Sequence, residues 1–169
     1  MNPLRTLSTV AASVVLAFGA NAAEPIDTGA SIPAISAKDQ DNQEVKLAEA
    51  GKNGFTLVYF YPKADTPGCT KQACSLRDSY AALTDKKVQV FGVSMDTVEA
   101  QKAFKDKYKL PFTLLSDKEG KVADAFGVPH VGGVAKRQAF LFKDGKLVWR
   151  DLTASTDEQA ADVLKELEK

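Results

Sequence analysis

The sequence is poor in the residue types that bind transition metals most strongly. It contains two cysteines and one histidine among 169 residues. Zinc fingers and cysteine-bound iron–sulfur clusters use four such ligands, so these three residues are too few for either kind of site. We therefore expect no metal and no cofactor, and any chemistry must depend on a small number of reactive side chains.

The chain also lacks an excess of charge of either sign. Lys+Arg and Asp+Glu both number 22, which gives a formal net charge of zero. Such a chain has no overall field that would attract nucleic acid or an anionic membrane. Its hydrophobic content of 44% and charged content of 26% are typical of one soluble globular domain.

No hydrophobic run is long enough to cross a bilayer as a stable helix, which takes ~20 residues. The apolar run Thr9–Phe18 is about half that length. Arg5 precedes this run, and small residues follow it as far as Ala23. A short positive segment, an apolar run and a small-residue end are typical of a cleavable secretory signal.

We predict a signal peptide over residues 1–22, cleaved after Ala22, and one domain over residues 23–169. The mature protein is then periplasmic or secreted, with no stable membrane association. An uncleaved membrane anchor is the alternative interpretation. Disulfides persist in exported proteins, so the two cysteines either cycle through an oxidised state or stay oxidised as a structural link.

Two runs of aromatic and β-branched residues are typical of strands buried on both faces, Phe55–Tyr61 and Val88–Met95. Between them, Leu76, Tyr80 and Leu83 have the spacing of one helical face. A helix that joins two buried strands predicts a βαβ unit with parallel strand pairing.

The remaining mature chain predicts an α/β domain with a central mixed sheet flanked by helices. The predicted elements are a hairpin or loose cover over 32–47, a helix over 98–108, a strand over 112–115, a short helix over 122–126, a hairpin over 139–149 that turns at Asp144-Gly145, and a final helix that starts with the capping-box pattern Ser155-x-x-Glu158.

Cys69 lies at the predicted junction between the first strand and the helix. With Thr66 as the N-cap and Pro67 as the first helical residue, Cys69 falls in the first turn. Free backbone N–H groups and the positive end of the helix dipole stabilise an anion there. Because the thiolate is the reactive form of cysteine, Cys69 is predicted to be a nucleophile.

Cys74 follows five residues later on the same predicted helix. Helix geometry places it ~140° around the axis, with its Cα atom ~8.6 Å from that of Cys69. A disulfide needs the two Cα atoms within ~7 Å, so bond formation requires the helix to unwind. Two interpretations remain open: a redox cycle with a conformational step, or a permanent disulfide in a non-helical segment.

The segment Pro62-Lys-Ala-Asp-Thr66-Pro-Gly-Cys69 resembles the P-x-x-x-T-x-x-C active-site signature of the peroxiredoxins. The second cysteine five positions on is similar to the Q-type branch, also called the bacterioferritin comigratory protein group. The resemblance continues through Leu110–Asp117 to the segment that begins at Arg137, and so covers most of the mature chain. It implies a thioredoxin-like fold and a thiol peroxidase that acts in antioxidant defence.

The resemblance also implies a role for each matching residue. Cys69 corresponds to the peroxidatic cysteine and Cys74 to the resolving cysteine. Arg137 would stabilise the thiolate and orient hydrogen peroxide or a small organic hydroperoxide. Thr66 would bond the thiolate or the peroxide while capping the helix, and Pro62 would shield the site from water. Thioredoxin or a similar dithiol would reduce the resulting disulfide, and a monomer suffices for turnover.

Two other functions compete with this one. An exported copper-binding or electron-delivery protein of the same fold would use both cysteines and His130 as ligands, but it usually has three residues between its cysteines rather than four. A disulfide reductase would need C-x-x-C, which is absent. His130 itself lies in a turn-rich loop and is expected to be solvated or bonded locally, Trp149 to pack, and Lys102–Lys109 to form a solvated helix face.

Overall fold

The computed structural model describes residues 24–169, so the predicted signal peptide lies outside the described residues. The strands are β1 (Ser36–Asp39), β2 (Glu44–Lys46), β3 (Phe55–Phe60), β4 (Val88–Ser94), β5 (Thr113–Ser116), β6 (His130–Val131), β7 (Val134–Ala135), β8 (Gln138–Lys143) and β9 (Lys146–Asp151). The helices are α1 (Leu47–Ala50), α2 (Pro67–Asp78), α3 (Tyr80–Asp85), α4 (Val98–Tyr108), α5 (Lys121–Phe126) and α6 (Gln159–Glu166).

Seven strands form one mixed sheet in the order β2-β1-β5-β4-β3-β8-β9. The β3–β4 and β4–β5 pairs are parallel, as the predicted βαβ unit requires, and the remaining pairs are antiparallel. The mixed α/β sheet predicted from the sequence is confirmed. Among the described residues, no helix has the length and apolar composition that a membrane span requires.

The central strand β3 is buried on both faces because helices cover both sides of the sheet. Leu57 and Tyr59 point into a core with α2, α3, α4 and α6. Val58 and Phe60 point into a second core with α1 and α5, where Phe60 packs edge-on against Phe126 and Phe140. This two-sided burial explains why β3 has no alternation of polar and apolar residues.

Most predicted elements are observed close to their predicted positions. The helix over 98–108 is observed at those bounds, and the strand over 112–115 is displaced by one residue to Thr113–Ser116. Of the two interpretations for 32–47, the hairpin is correct. Asp39 fixes its turn, since the Asp39 carboxylate accepts hydrogen bonds from the backbone N–H groups of Asp41 and Gln43.

Three details of the prediction are wrong. The helical face through Leu76 and Leu83 belongs to two helices, because the backbone breaks at Ser79, in a segment of weak helix formers. The final helix begins at Gln159, because the Ser155 hydroxyl oxygen accepts the backbone N–H of Glu158 and closes a separate turn. Lys105 is not solvated: it is half-buried, its ammonium donates to the Phe112 carbonyl, and burial lowers its pKa.

Candidate active site

The register of β3 and β8 brings Cys69 and Arg137 together. Phe60, the last residue of β3, pairs with Gln138, the first residue of the antiparallel strand β8. Arg137 therefore lies beside the point where the chain leaves β3 for α2, whose first turn contains Cys69. The Arg137 Nη2 atom donates to Cys69 Sγ over 3.5 Å.

The two cysteines occupy different environments on one continuous helix. Cys69 is buried, with 2% of its surface exposed, and Cys74 is partly exposed. Both are free thiols. This structure therefore matches the interpretation in which a folded helix keeps the thiols apart. The segment is helical here, unlike the non-helical segment that the alternative of a permanent disulfide requires.

Thr66 is the N-cap of α2 by its backbone but not by its side chain. Its extended conformation ends the loop, and its carbonyl accepts the N–H of Thr70. The hydroxyl instead donates to the Lys63 carbonyl over 2.9 Å. The expectation that this side chain caps the helix is therefore wrong: its oxygen accepts no backbone N–H of α2, and its proton closes the loop that carries Pro62.

Contacts with α4 and with the end of β4 hold the same loop in place. The Asp65 carboxylate accepts from Lys107 Nζ and from the Tyr108 hydroxyl, and these bonds lower the pKa of Asp65. Asp65 has a positive φ of 57°. The backbone N–H of Ala64 donates to the Asp96 carboxylate over 2.8 Å. The loop before α2 is therefore anchored both to α4 and to the segment that follows β4.

Two buried glutamines complete the surroundings of Arg137, and sequence reasoning missed both. Gln72 on α2 accepts from Arg137 Nη1 through Oε1 and donates through Nε2 to Oε1 of Gln159. Gln72 is 0% exposed and Gln159 is 1% exposed. Gln72 lies between Cys69 and Leu76 on the buried face of α2, so a polar residue at a core position was the signal available.

A cavity of about 450 Å³ opens beside Arg137. Pro62 lines it on the active-site side, and the short β6–β7 hairpin supplies apolar walls from Val131 and Val134. Val131 is 84% exposed, so this wall is accessible from solvent. The cavity thus combines a permanent cation with an apolar surface.

His130 also borders this cavity, but it is bonded locally, as predicted. Its Nε2 atom lies 2.9 Å from the carboxylate of Asp124 on α5. Within residues 24–169, no group of three His, Cys, Asp or Glu side chains converges in a way that could hold a metal ion. The copper-binding alternative therefore gains no support from this arrangement.

Two tyrosines line the core on the Cys69 side of the sheet. Tyr59 and Tyr61 are buried and stack at 5.6 Å between ring centroids. Burial raises the pKa of both phenols. Neither hydroxyl ionises near neutral pH, so neither tyrosine adds negative charge that would oppose a thiolate at Cys69.

Comparison with known proteins agrees with this geometry. Residues 28–150 match the AhpC/TSA family. The chain belongs to the AhpC/TSA family. It is 44% identical over 126 residues to the chloroplastic peroxiredoxin Q of Suaeda salsa. This alignment covers 73% of this chain and 58% of that protein. It is 43% identical over 108 residues to peroxiredoxin bcp1 of Schizosaccharomyces pombe, over 64% of this chain and 55% of that protein.

A solved structure with a similar sequence shows the same fold. The crystal structure of peroxidoxin BcpB from Mycobacterium tuberculosis superposes with a TM-score of 0.78 at 32% identity, over 83% of this chain and 96% of that one. The thioredoxin-like peroxiredoxin fold and the Q-type resemblance are therefore confirmed. The chain spans just over half the length of the curated AhpC/TSA relatives that it matches.

Proposed function

We propose that this AhpC/TSA protein is a thiol peroxidase that reduces hydrogen peroxide and small organic hydroperoxides. The observation that carries the proposal is the Arg137 guanidinium donating to the buried Cys69 sulfur in the first turn of α2. Both the guanidinium and the helix N-terminus place positive potential at the Cys69 sulfur, and the thiolate is the nucleophilic form of cysteine. Cys69 is therefore the peroxidatic cysteine of the proposal.

In the first step, the Cys69 thiolate attacks one peroxide oxygen. The S–O bond forms as the O–O bond breaks, and the second oxygen leaves as water or alcohol after taking a proton from solvent. The cysteine becomes a sulfenic acid. The donors of Arg137 stabilise the negative charge that develops on the peroxide oxygens, and Pro62 limits access of water.

In the second step, the Cys74 sulfur attacks the sulfenic sulfur, a disulfide forms and water leaves. Cys69 and Cys74 are too far apart on an intact helix for this bond, so α2 must unwind between them. Thioredoxin or a similar dithiol then supplies two electrons and two protons to regenerate both thiols. Both cysteines are in one chain, so the cycle runs in a monomer.

The cavity beside Arg137 supports organic hydroperoxides as substrates in addition to hydrogen peroxide. Its apolar wall at Val131 and Val134 provides contact area for an alkyl group, while Arg137 faces the peroxide. Burial of apolar surface favours binding by about 25 cal/mol per Å². Hydrogen peroxide has no such group and gains nothing from this wall.

The proposal also places the enzyme in the periplasm or outside the cell. This location is supported by the signal-like sequence of residues 1–22. The cleavage position is compatible with the contacts made by the residues that follow. Arg150 donates to the carbonyls of Pro25 and Ile26, and the N–H of Ile26 donates to Phe126. Cleavage after Ala22 would leave these contacts intact.

Peroxide consumption in the presence of dithiothreitol tests the proposal. The parent is expected to turn over, and Cys69→Ser to lose all activity. Cys74→Ser should form one sulfenic acid per chain and then oxidise further. Ala81→Ser, which introduces a serine at an exposed position of α3, is the control and keeps turnover. Equal turnover by Cys69→Ser and the parent contradicts the proposal, and stoichiometric Cu(I) binding without turnover favours the copper-binding alternative.

A further inference from the structure

The segment that leads into α6 contacts α2 along its length. A Cβ atom on Gly68 would lie 3.4 Å from Cγ2 of Thr156. The Ser75 hydroxyl donates to the Asp157 carbonyl over 3.0 Å. Between these contacts, Gln72 Nε2 donates to Gln159 Oε1. We call Thr156, Asp157 and Gln159 the C-terminal clamp.

Charge fixes the direction of the buried glutamine pair. Arg137 can only donate hydrogen bonds, so the Gln72 amide must present its oxygen to Arg137 and its nitrogen to Gln159. Gln159 must then present its own oxygen, and its Nε2 atom is buried with no hydrogen-bond partner among the described residues. Gln159 therefore holds Gln72 at the cost of an unpaired donor.

Gln72 lies within the segment that disulfide formation must unwind. It is between Cys69 and Cys74, so bringing the two sulfurs together moves Gln72 away from both Arg137 and Gln159. Hydrogen bonds between fully buried groups are costly to break, because the partners left behind have no access to water. The clamp consequently resists the motion that the proposed second step requires.

We infer that Gln159 is a positioning residue that controls how readily α2 unwinds, and so divides oxidised Cys69 between disulfide formation and overoxidation. The claim that Gln159 controls the unwinding of α2 rests on the observed contacts alone. The claim about the fate of oxidised Cys69 rests on the proposed function. In the competing step, the sulfenate sulfur attacks a second peroxide, a second S–O bond forms, the O–O bond breaks and water or alcohol leaves. That step needs the folded helix beside Arg137.

The Gln159→Met variant distinguishes a role of Gln159 in holding α2 from a general role in supporting the fold. Methionine has a similar length, removes the unpaired donor of Gln159, and leaves Gln72 Nε2 without an acceptor only while α2 is folded. Gln159→Glu is the second variant, because it keeps an acceptor oxygen whether or not it is ionised. Gln40→Met is the matched control: Gln40 is also a buried glutamine, and it accepts the N–H of Leu114 on β5.

Amide hydrogen exchange of the reduced protein tests the opening of α2 without any peroxide. Gln159→Met is expected to speed exchange in α2 by roughly tenfold relative to β3, the effect of one lost buried hydrogen bond. Gln159→Glu and Gln40→Met should leave the ratio between α2 and β3 unchanged. An unchanged ratio in Gln159→Met overturns the inference even if the parent proves to be an active peroxidase.

Quenched-flow mass spectrometry tests the chemical part. In Gln159→Met, disulfide formation should be roughly tenfold faster than in the parent, with a matching fall in sulfinic acid at high peroxide. Gln159→Glu should form the disulfide no faster than the parent. Slower or unchanged disulfide formation in Gln159→Met overturns this part. A parent whose Cys69 does not react with peroxide instead refutes the proposed function and leaves the exchange test standing.

Discussion

Arg137 Nη2 donates to Cys69 Sγ although 68 positions of sequence separate the two residues. The antiparallel pairing of Phe60 with Gln138 contributes to this contact, since Arg137 is next to Gln138 and the loop that follows Phe60 leads into the first turn of α2, where Cys69 lies. The arginine is therefore held beside the central sheet, while the cysteine is held by the helix that unwinds in the proposed cycle. In the proposed cycle, disulfide formation therefore moves the sulfur and leaves the cation in place.

Replacing Arg137 should slow the reaction of Cys69 with peroxide more than any later step. Arg137→Met removes charge and donors and is expected to cost roughly 100-fold in the single-turnover rate, as for loss of one transition-state donor. Arg137→Lys keeps the charge but loses the planar set of donors, so its single-turnover rate should lie between those of the parent and Arg137→Met. Lys136→Met, at the exposed neighbouring residue, is the control for net charge. Equal effects of Arg137→Met and Lys136→Met would contradict the role of Arg137.

Thr66 should depend on its hydroxyl rather than on its methyl group. Thr66→Val leaves the Lys63 carbonyl without its donor and loosens the loop that carries Pro62. We expect Thr66→Val to reduce the peroxide rate by about tenfold, the effect of one lost hydrogen bond. Thr66→Ser restores the donor and should react like the parent. If Thr66→Ser is as slow as Thr66→Val, the packing of the Thr66 methyl group matters for the peroxide rate and the hydroxyl alone is not sufficient.

The apolar wall of the cavity should discriminate between peroxides. Val131→Ser combined with Val134→Ser removes apolar surface while leaving Arg137 untouched. The KM for tert-butyl hydroperoxide should rise by roughly fivefold to tenfold, on the scale of about 0.8 kcal/mol for each buried CH₂ lost. The KM for hydrogen peroxide should not change. A parallel rise for both substrates would mean that the hairpin does not contact the alkyl group.

Asp117 should make the free energy of unfolding depend on pH. The sign of this dependence should be opposite to that produced by a surface carboxylate in an ion pair. Burial raises the pKa of Asp117, although hydrogen bonds from the N–H groups of Val122 and Ala123 lower it. The folded chain therefore holds this proton to a higher pH than the unfolded chain does. The stability that this group contributes is complete below the unfolded pKa of about 3.9 and is lost as pH rises through the folded pKa.

Asp117→Asn has no titration at this site and provides the comparison. The free energy of unfolding of the parent minus that of the variant should fall as pH rises from about 3 to 7, measured by urea denaturation. Glu119→Gln, at an exposed carboxylate whose pKa is lowered by a hydrogen bond from Lys121, is the control. A difference between the parent and Asp117→Asn that grows with pH would contradict the raised pKa.

Local patterns predicted the elements well where burial and capping are local. The run Phe55–Tyr61 identified the central strand, and Thr66-Pro67 identified the start of α2 within the observed bounds. The end of α2 was missed because the spacing of Leu76 and Leu83 is compatible with either one helix or two. Periodicity reports which side chains are buried, and a break at Ser79 leaves that pattern unchanged.

The candidate site was predictable only in part. The position of Cys69 in a first helical turn follows from local signals. Its contact with Arg137 depends on the register of β3 and β8, and only the resemblance indicated that Arg137 belongs to the site. The pairing of Gln72 with Gln159 spans 87 positions and has no local signal. The Thr66 hydroxyl was assigned a helix-capping role, but its oxygen accepts no backbone N–H of α2 and its proton goes to the Lys63 carbonyl.

The most direct test of the account treats the reduced protein with one equivalent of hydrogen peroxide, then maps its disulfides by mass spectrometry and its amides by hydrogen exchange. The proposed cycle predicts a Cys69–Cys74 disulfide within one chain, together with loss of amide protection in α2 and retained protection in β3 and β8. Unmodified Cys69 after peroxide is consumed, or a Cys69–Cys74 disulfide with α2 still fully protected, would contradict it.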